Sequence, residues 1–279
     1  MNWEIREHRL FGKSLFVHNG MVEVGIPLEY GLRIGHFSFC GSENVFFEQP
    51  KEMTELATED GWRVWGGHRL WLAPESPKDY CPDNEPISYE ILDNGVRIMQ
   101  KEDPWLKVKK SIRISFVGDA EVEVVNCVEN TGEEMLHCSL WAIQAMAPGG
   151  TEELIFALRD GGYDHWHRIS MWDYTSLGDS RAEYRRDGIT LTHRALDEKY
   201  KIGVGHPLGP VTYKNKGVTF IKKFKVELEK NYPDGDVSFE TFMCKHMVEI
   251  ESLSPLGKIM PGGSMEYAER WELKRKTFI

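Results

Sequence analysis

The chain has 279 residues, with 34 Lys and Arg against 44 Asp and Glu, for a formal charge of −10 at pH 7. An apolar share of 41%, including 11% aromatics, excludes a disordered chain. The acidic balance repels phosphate backbones and argues against nucleic acid as a partner. Residues 1–7 (Met-Asn-Trp-Glu-Ile-Arg-Glu) carry charges where a secretory leader needs an apolar segment. No apolar run has the length to cross a bilayer. The five cysteines, Cys40, Cys81, Cys127, Cys138 and Cys244, are odd in number and contain no Cys-x-x-Cys. Together these features predict a soluble, cytoplasmic protein in a reduced setting, with no membrane partner.

Strand follows strand along the chain. Residues 21–26 and 32–39 alternate apolar and polar, the signature of one buried and one wet face. Residues 51–57 suggest a short helix. A Trp-rich stretch follows. Residues 88–92 and 96–100 flank Asp93-Asn94-Gly95, a strong hairpin signal. Residues 106–116 and 120–130 are long alternating strands, the second closed by Thr131-Gly132. Later turns fall at Pro148-Gly149-Gly150, Pro233-Asp234-Gly235 and Pro261-Gly262-Gly263. With no repeat, low-complexity tract or composition break, residues 1–279 read as a single all-β domain of sandwich type.

Four polar clusters interrupt this pattern. Residues 61–75 bring Trp62, Trp65, Trp71, Arg63, Arg69, His68 and Glu75 around Gly66-Gly67. Trp faces stack on the C–H face of a sugar ring, while Arg, His and Glu bind its hydroxyls. At least one of these Trp is expected to be a partly exposed platform. An aromatic turn sealing the edge of a β-core would have the same composition. In residues 240–255, Glu249 and Glu251 point to one face of a strand. On solvent they are ordinary surface charges; on a cleft floor their repulsion raises one carboxyl and makes a proton acceptor. In residues 161–168, Asp164, His165 and His167 suit a loop that hydrogen-bonds a sugar or merely caps the sheet, and a metal site there lacks an obvious third ligand. In residues 137–150, Trp141 and Gln144 lie on opposite strand faces, Trp141 suited to the core and Gln144 to a cleft.

The order of these motifs resembles the galactose mutarotase-like superfamily, which includes the aldose 1-epimerases. Tyr30-Gly31-Leu32-Arg33-Ile34, followed by Gly41-Ser42-Glu43-Asn44, looks like its opening. Gly66-Gly67-His68 sits where the family has a sugar-binding His beside glycines. Residues 124–150 resemble its Asn-x-Gly … Trp … Pro-Gly-Gly middle. Residues 251–255 and 260–264, with Trp271-Glu272-Leu273, resemble its late strands. The resemblance implies a galactose mutarotase-like β-supersandwich with a sugar-sized cleft, a small-molecule carbohydrate as partner, and neither cofactor nor metal. It implies an aldose 1-epimerase-like isomerase, with Glu251 as base and His68 as acid or hydroxyl binder. Arg69, Trp65, Trp71, Glu75, Gln144, Asp164, His165 and Glu249 would contact the sugar. A non-catalytic carbohydrate-binding protein of the same fold is the alternative. The family's acid His lies on the central strand, where this chain reads Trp141-Ala142-Ile143-Gln144.

Overall fold

A computed structural model describes residues 1–156, 167–205, 207 and 209–275. Three antiparallel sheets account for most of them. The N-terminal sheet has four strands in spatial order Asn2–His8, Gly12–His18, Val22–Pro27 and His36–Phe39. A ten-stranded sheet has the long neighbours Val108–Phe116, Glu121–Asn130 and Ser264–Arg275 at its middle. An eight-stranded sheet runs Arg168–Met171, Tyr200–Gly205, Phe239–Met243, Val248–Leu253, Leu136–Met146, Gly67–Ala73 and Arg33–Ile34, with Gly257–Ile259 paired onto the start of Leu136–Met146.

Alternation drives this arrangement. Along Val108–Phe116 every second residue is buried, and Ile112 and Ile114 join Val122, Val124 and Trp271 in a core that also takes Ile202, Val248 and Ile250 from the eight-stranded sheet. The strands Gly67–Ala73 and Val248–Leu253 are instead buried at every position. One of their faces packs on the ten-stranded sheet; the other is covered by loops, and the cleft lies between those loops and the sheet.

The sandwich expected from the sequence is present, but residues 51–57 form turns rather than a helix. Gln49 Nε2 donates to the carbonyls of Met53 and Leu56, at 3.0 and 3.2 Å, and pins this segment as a loop. Gly66 and Gly67 have φ of +98° and +72°. A Cβ on Gly66 would lie 1.8 Å from the Phe47 carbonyl oxygen, and one on Gly67 would lie 2.2 Å from that of Ile34. The close approach these glycines permit is to the chain's own backbone, not to a ligand.

Candidate functional site

Register decides which side chains share the cleft face. Residues directly opposite on antiparallel neighbours point the same way. Gly203, Glu240, Glu251, Ile143 and Arg69 form one row across five strands. The next rows hold Lys201, Phe242 and Glu249 on one side, and Leu253, Trp141 and Trp71 on the other. All of these face outward from the sandwich.

His68 and Gln144 are opposite each other in the intervening row and face the ten-stranded sheet. His68 is fully buried, and its ring packs edge-on against Trp271. Its Nε2 donates to Asn126 Oδ1 at 2.8 Å, and its Nδ1 accepts from Gln144 Nε2 at 2.7 Å. Gln144 also donates to Glu269, which forms a 3.0 Å ion pair with Lys222. Burial pushes the His68 pKa down to about 4. His68 is therefore a neutral member of a satisfied internal network, not an acid in the cleft. The expectation that His68, Arg69 and Glu251 line one surface holds for Arg69 and Glu251 but fails for His68 on strand parity; Gln144, expected in the cleft, faces inward with it, while Trp141, expected in the core, faces the cleft.

Glu251 is fully buried on the cleft side. Its Oε2 accepts from Trp141 Nε1 at 2.9 Å and from Lys201 Nζ at 3.2 Å, and its Oε1 is unpartnered. Lys201 Nζ also lies 2.9 Å from Glu240 Oε2. It sits 4.5 Å over the Trp141 ring and 4.7 Å over that of Trp172. One ammonium thus serves two carboxyls, and one proton makes the trio neutral. Burial raises Glu240 well above the usual carboxylate range, Lys201 only partly opposing it. Burial likewise raises Glu251, to about 7. Burial disfavours charge on Lys201, but the two carboxylates outweigh it and raise its pKa.

Glu240 reaches a cavity of about 750 Å³ whose wall includes Asp234, Glu75, Tyr80, Trp105, Trp141 and Trp172. Asp234 shares this wall with Glu240, and burial raises its carboxyl. It projects from the turn Pro233–Asp236, where Asp234, Gly235 and Asp236 have φ of 54°, 86° and 67°. Glu251 does not reach this wall; it stands behind Trp141 and Lys201. A second cavity of about 420 Å³ shares Thr58, Glu75, Tyr80, Trp141 and Trp172 with the first, and adds Trp62, Trp71 and Arg69. Arg69 Nη2 pairs with Glu249 Oε1 at 2.8 Å, while its Nε and Nη1 are buried without partners.

The structure thus gathers Arg69, Trp71, Glu75, Glu249 and Glu251 of the expected set. Trp62, Trp65 and Trp71 are 6%, 5% and 6% exposed, so none is the partly exposed platform anticipated. Trp65 points away from the cleft, into a cluster with Leu10, Phe11 and Tyr30, and donates to Asn84. Asp164 and His165 lie outside the described residues. Of the other arginines in the polar clusters, Arg63 bonds the Pro50 and Met53 carbonyls and Arg168 pairs with Asp236. Sequence reasoning missed Lys201, Glu240 and Asp234. A lone Lys within the apolar run Tyr200-Lys201-Ile202-Gly203-Val204 was the available signal for the first.

Elsewhere among the described residues, His8, His36 and Glu48 come close enough to hold a metal. His8 Nδ1, however, accepts the backbone N–H groups of Leu10 and Phe11, which puts the ring proton on Nε2, facing Glu48. That tautomer donates to the carboxylate rather than ligating an ion. No helix among the described residues is long and apolar enough to cross a membrane.

No known family model matches this sequence, and no curated protein sequence matches it either. Solved structures do. A protein from Escherichia coli K12 provisionally named an aldose 1-epimerase superposes with a TM-score of 0.58 at 10% identity, covering 98% of this chain and 100% of that one. A galactose mutarotase-like protein from Lactobacillus casei ATCC 334 gives 0.54 at 11% identity, with coverage of 94% and 100%. A TPR-domain containing protein from Parabacteroides distasonis gives 0.61 at 12% identity; the match covers 96% of this chain but only 48% of that one, so the chain spans about half its length. The fold is that of the galactose mutarotase-like β-sandwiches.

Proposed function

We propose that the protein is a sugar isomerase acting at the anomeric carbon, with Asp234 as base and Glu240 as acid. The observation that carries this is the placement of Asp234 and Glu240 together on the wall of an aromatic cavity, with Lys201 and Glu251 behind. Pairs of titratable groups whose environments separate their pKa values divide the acid and base roles. Asp234 is half-buried and Glu240 fully buried; burial raises both carboxyls, Glu240 well above the usual carboxylate range, so Glu240 is the one suited to hold the proton. Lys201 and Glu251 are positioning residues that hold Glu240 in place. The ring oxygen and the anomeric hydroxyl share one carbon, so two adjacent carboxyls can serve both. Asp234 takes the hydroxyl proton, Glu240 gives its proton to the ring oxygen, the C1–O5 bond breaks and C1=O forms. Rotation about C1–C2 and closure return both protons and give the other anomer. The names of the fold's relatives from Escherichia coli and Lactobacillus casei support this chemistry.

Polarimetry on freshly dissolved aldoses tests it. Wild-type protein accelerates anomer interconversion, and Asp234→Asn or Glu240→Gln lowers the rate by about 10²–10⁴. Ligand binding survives, because the shape is kept. Wild-type rates equal to buffer across neutral pentoses, hexoses and their disaccharides would overturn it.

A further inference from the structure

We propose that the cleft is built for two sugar units, so that the protein works on the reducing end of a disaccharide or longer neutral oligosaccharide rather than on a free monosaccharide. This rests on the isomerase function above and specifies its substrate.

The cleft has two lobes, of about 750 and 420 Å³. Each alone falls within the roughly 300–1,000 Å³ that serve a whole small-molecule ligand. They adjoin at a waist where Tyr80 contacts Glu75 through its hydroxyl and where Trp141 and Trp172 belong to both. Flat rings at a waist suit a chain of pyranoses, which present apolar C–H faces in succession.

The lobes differ in chemistry. The larger holds Asp234 and Glu240, the proton-transfer pair. The smaller is a binding chamber. Trp62 and Trp71 stand 5.4 Å apart, centroid to centroid, and the Arg69 guanidinium lies 4.8 Å over Trp71. Arg69 is 5% exposed, yet its Nε and Nη1 have no acceptor. Buried donors left this way carry the cost of their lost hydration until something accepts from them. The hydroxyl and ring oxygens of a second glycosyl unit are such acceptors, and a monosaccharide held at Asp234 and Glu240 fills only the larger lobe. The charges of Arg69 and Lys201 are already met by Glu249 and Glu251, so the chamber presents N–H donors without net positive charge. That favours neutral sugar over a uronate or sugar phosphate.

Calorimetric titration of matched pairs tests this: glucose against maltose and cellobiose, N-acetylglucosamine against chitobiose, xylose against xylobiose. At least one disaccharide is expected to bind tenfold or more tighter than its own monosaccharide. In Trp62→Leu, and in the Arg69→Met/Glu249→Met double variant, which leaves no unpaired charge, that ratio falls to about one. Because the ratio is internal to each variant, a partly unfolded preparation does not mimic the result. Monosaccharides that bind as tightly as their disaccharides to the wild type would overturn the two-unit cleft and leave the isomerase standing. A ratio unchanged in both variants would also overturn it. Binding of no sugar of either size would overturn both.

Discussion

Removing the one cation shared by Glu240 and Glu251 gives a pH-dependent loss of stability. In Lys201→Met the methionine keeps the length of the stem but not the charge. Around pH 6 Glu251 holds its proton in the wild type, since it titrates at about 7, and burial keeps Glu240 well above the usual carboxylate range. The ammonium then has no ionised Glu251 to pair with, so on that side its loss costs little beyond its contacts with Trp141 and Trp172, about 1 kcal/mol. As pH rises through about 7, wild-type Glu251 ionises against Lys201, whereas the variant must hold its proton. The folded variant then carries one more proton than the folded wild type, and its relative stability falls by about 1.4 kcal/mol per pH unit. By pH 9 the added loss is about 3 kcal/mol, in line with the roughly 3–5 kcal/mol for breaking a buried ion pair. Urea unfolding of both proteins at pH 6, 7, 8 and 9 measures it. Parallel stability curves would refute the shared-cation arrangement.

Other expectations follow from the interior. His68→Ala strips partners from Asn126 and Gln144 and leaves a void beside Trp271, at about 3 kcal/mol or more; denaturant melts would show that loss while sugar affinity, measured on the folded fraction, stays as it was. A drop in affinity with unchanged stability would restore His68 to the cleft. Glu152 accepts from Thr241 at 2.7 Å, and burial raises its pKa to about 8. A carboxyl raised in the folded state supports folding fully below its unfolded value near 4.5 and loses that support as pH climbs to about 8, here by at most about 5 kcal/mol. Glu152→Gln keeps the acceptor without the charge, so its melting temperature should gain on the wild type between pH 5 and pH 8. Equal slopes would show that the carboxylate ionises without cost.

Much of the fold was legible because alternation reports burial directly, as in residues 106–116. The site was legible only in part. Residues 61–75 and 240–255 did converge, but alternation says which residues share a face, not which face meets the core. Placing Glu251 in the cleft fixes Ile143 and Arg69 there too, and sends His68 and Gln144 inward, yet that inference needs the register between strands. Nothing local supplies it. Asp234 escaped notice for another reason. Pro233-Asp234-Gly235 reads as an ordinary turn, and only the fold brings that turn over Glu240. The Trp cluster misled because Trp65 follows Trp62 closely in sequence but belongs to a separate aromatic group around Tyr30.

The strand Leu136–Met146 separates two kinds of selection. Trp141, Ile143 and Ala145 face the ligand side, while Leu140, Ala142, Gln144 and Met146 face the opposite sheet. Ligand preference can therefore drift through the odd positions while the even ones stay constant. A lineage could exchange Trp141 or Ile143 for another side chain, alter what the cleft accepts, and leave the Gln144–Lys222 lattice intact. Comparing diverged descendants of such a chain would then show a two-residue rhythm of change and constancy along this one strand.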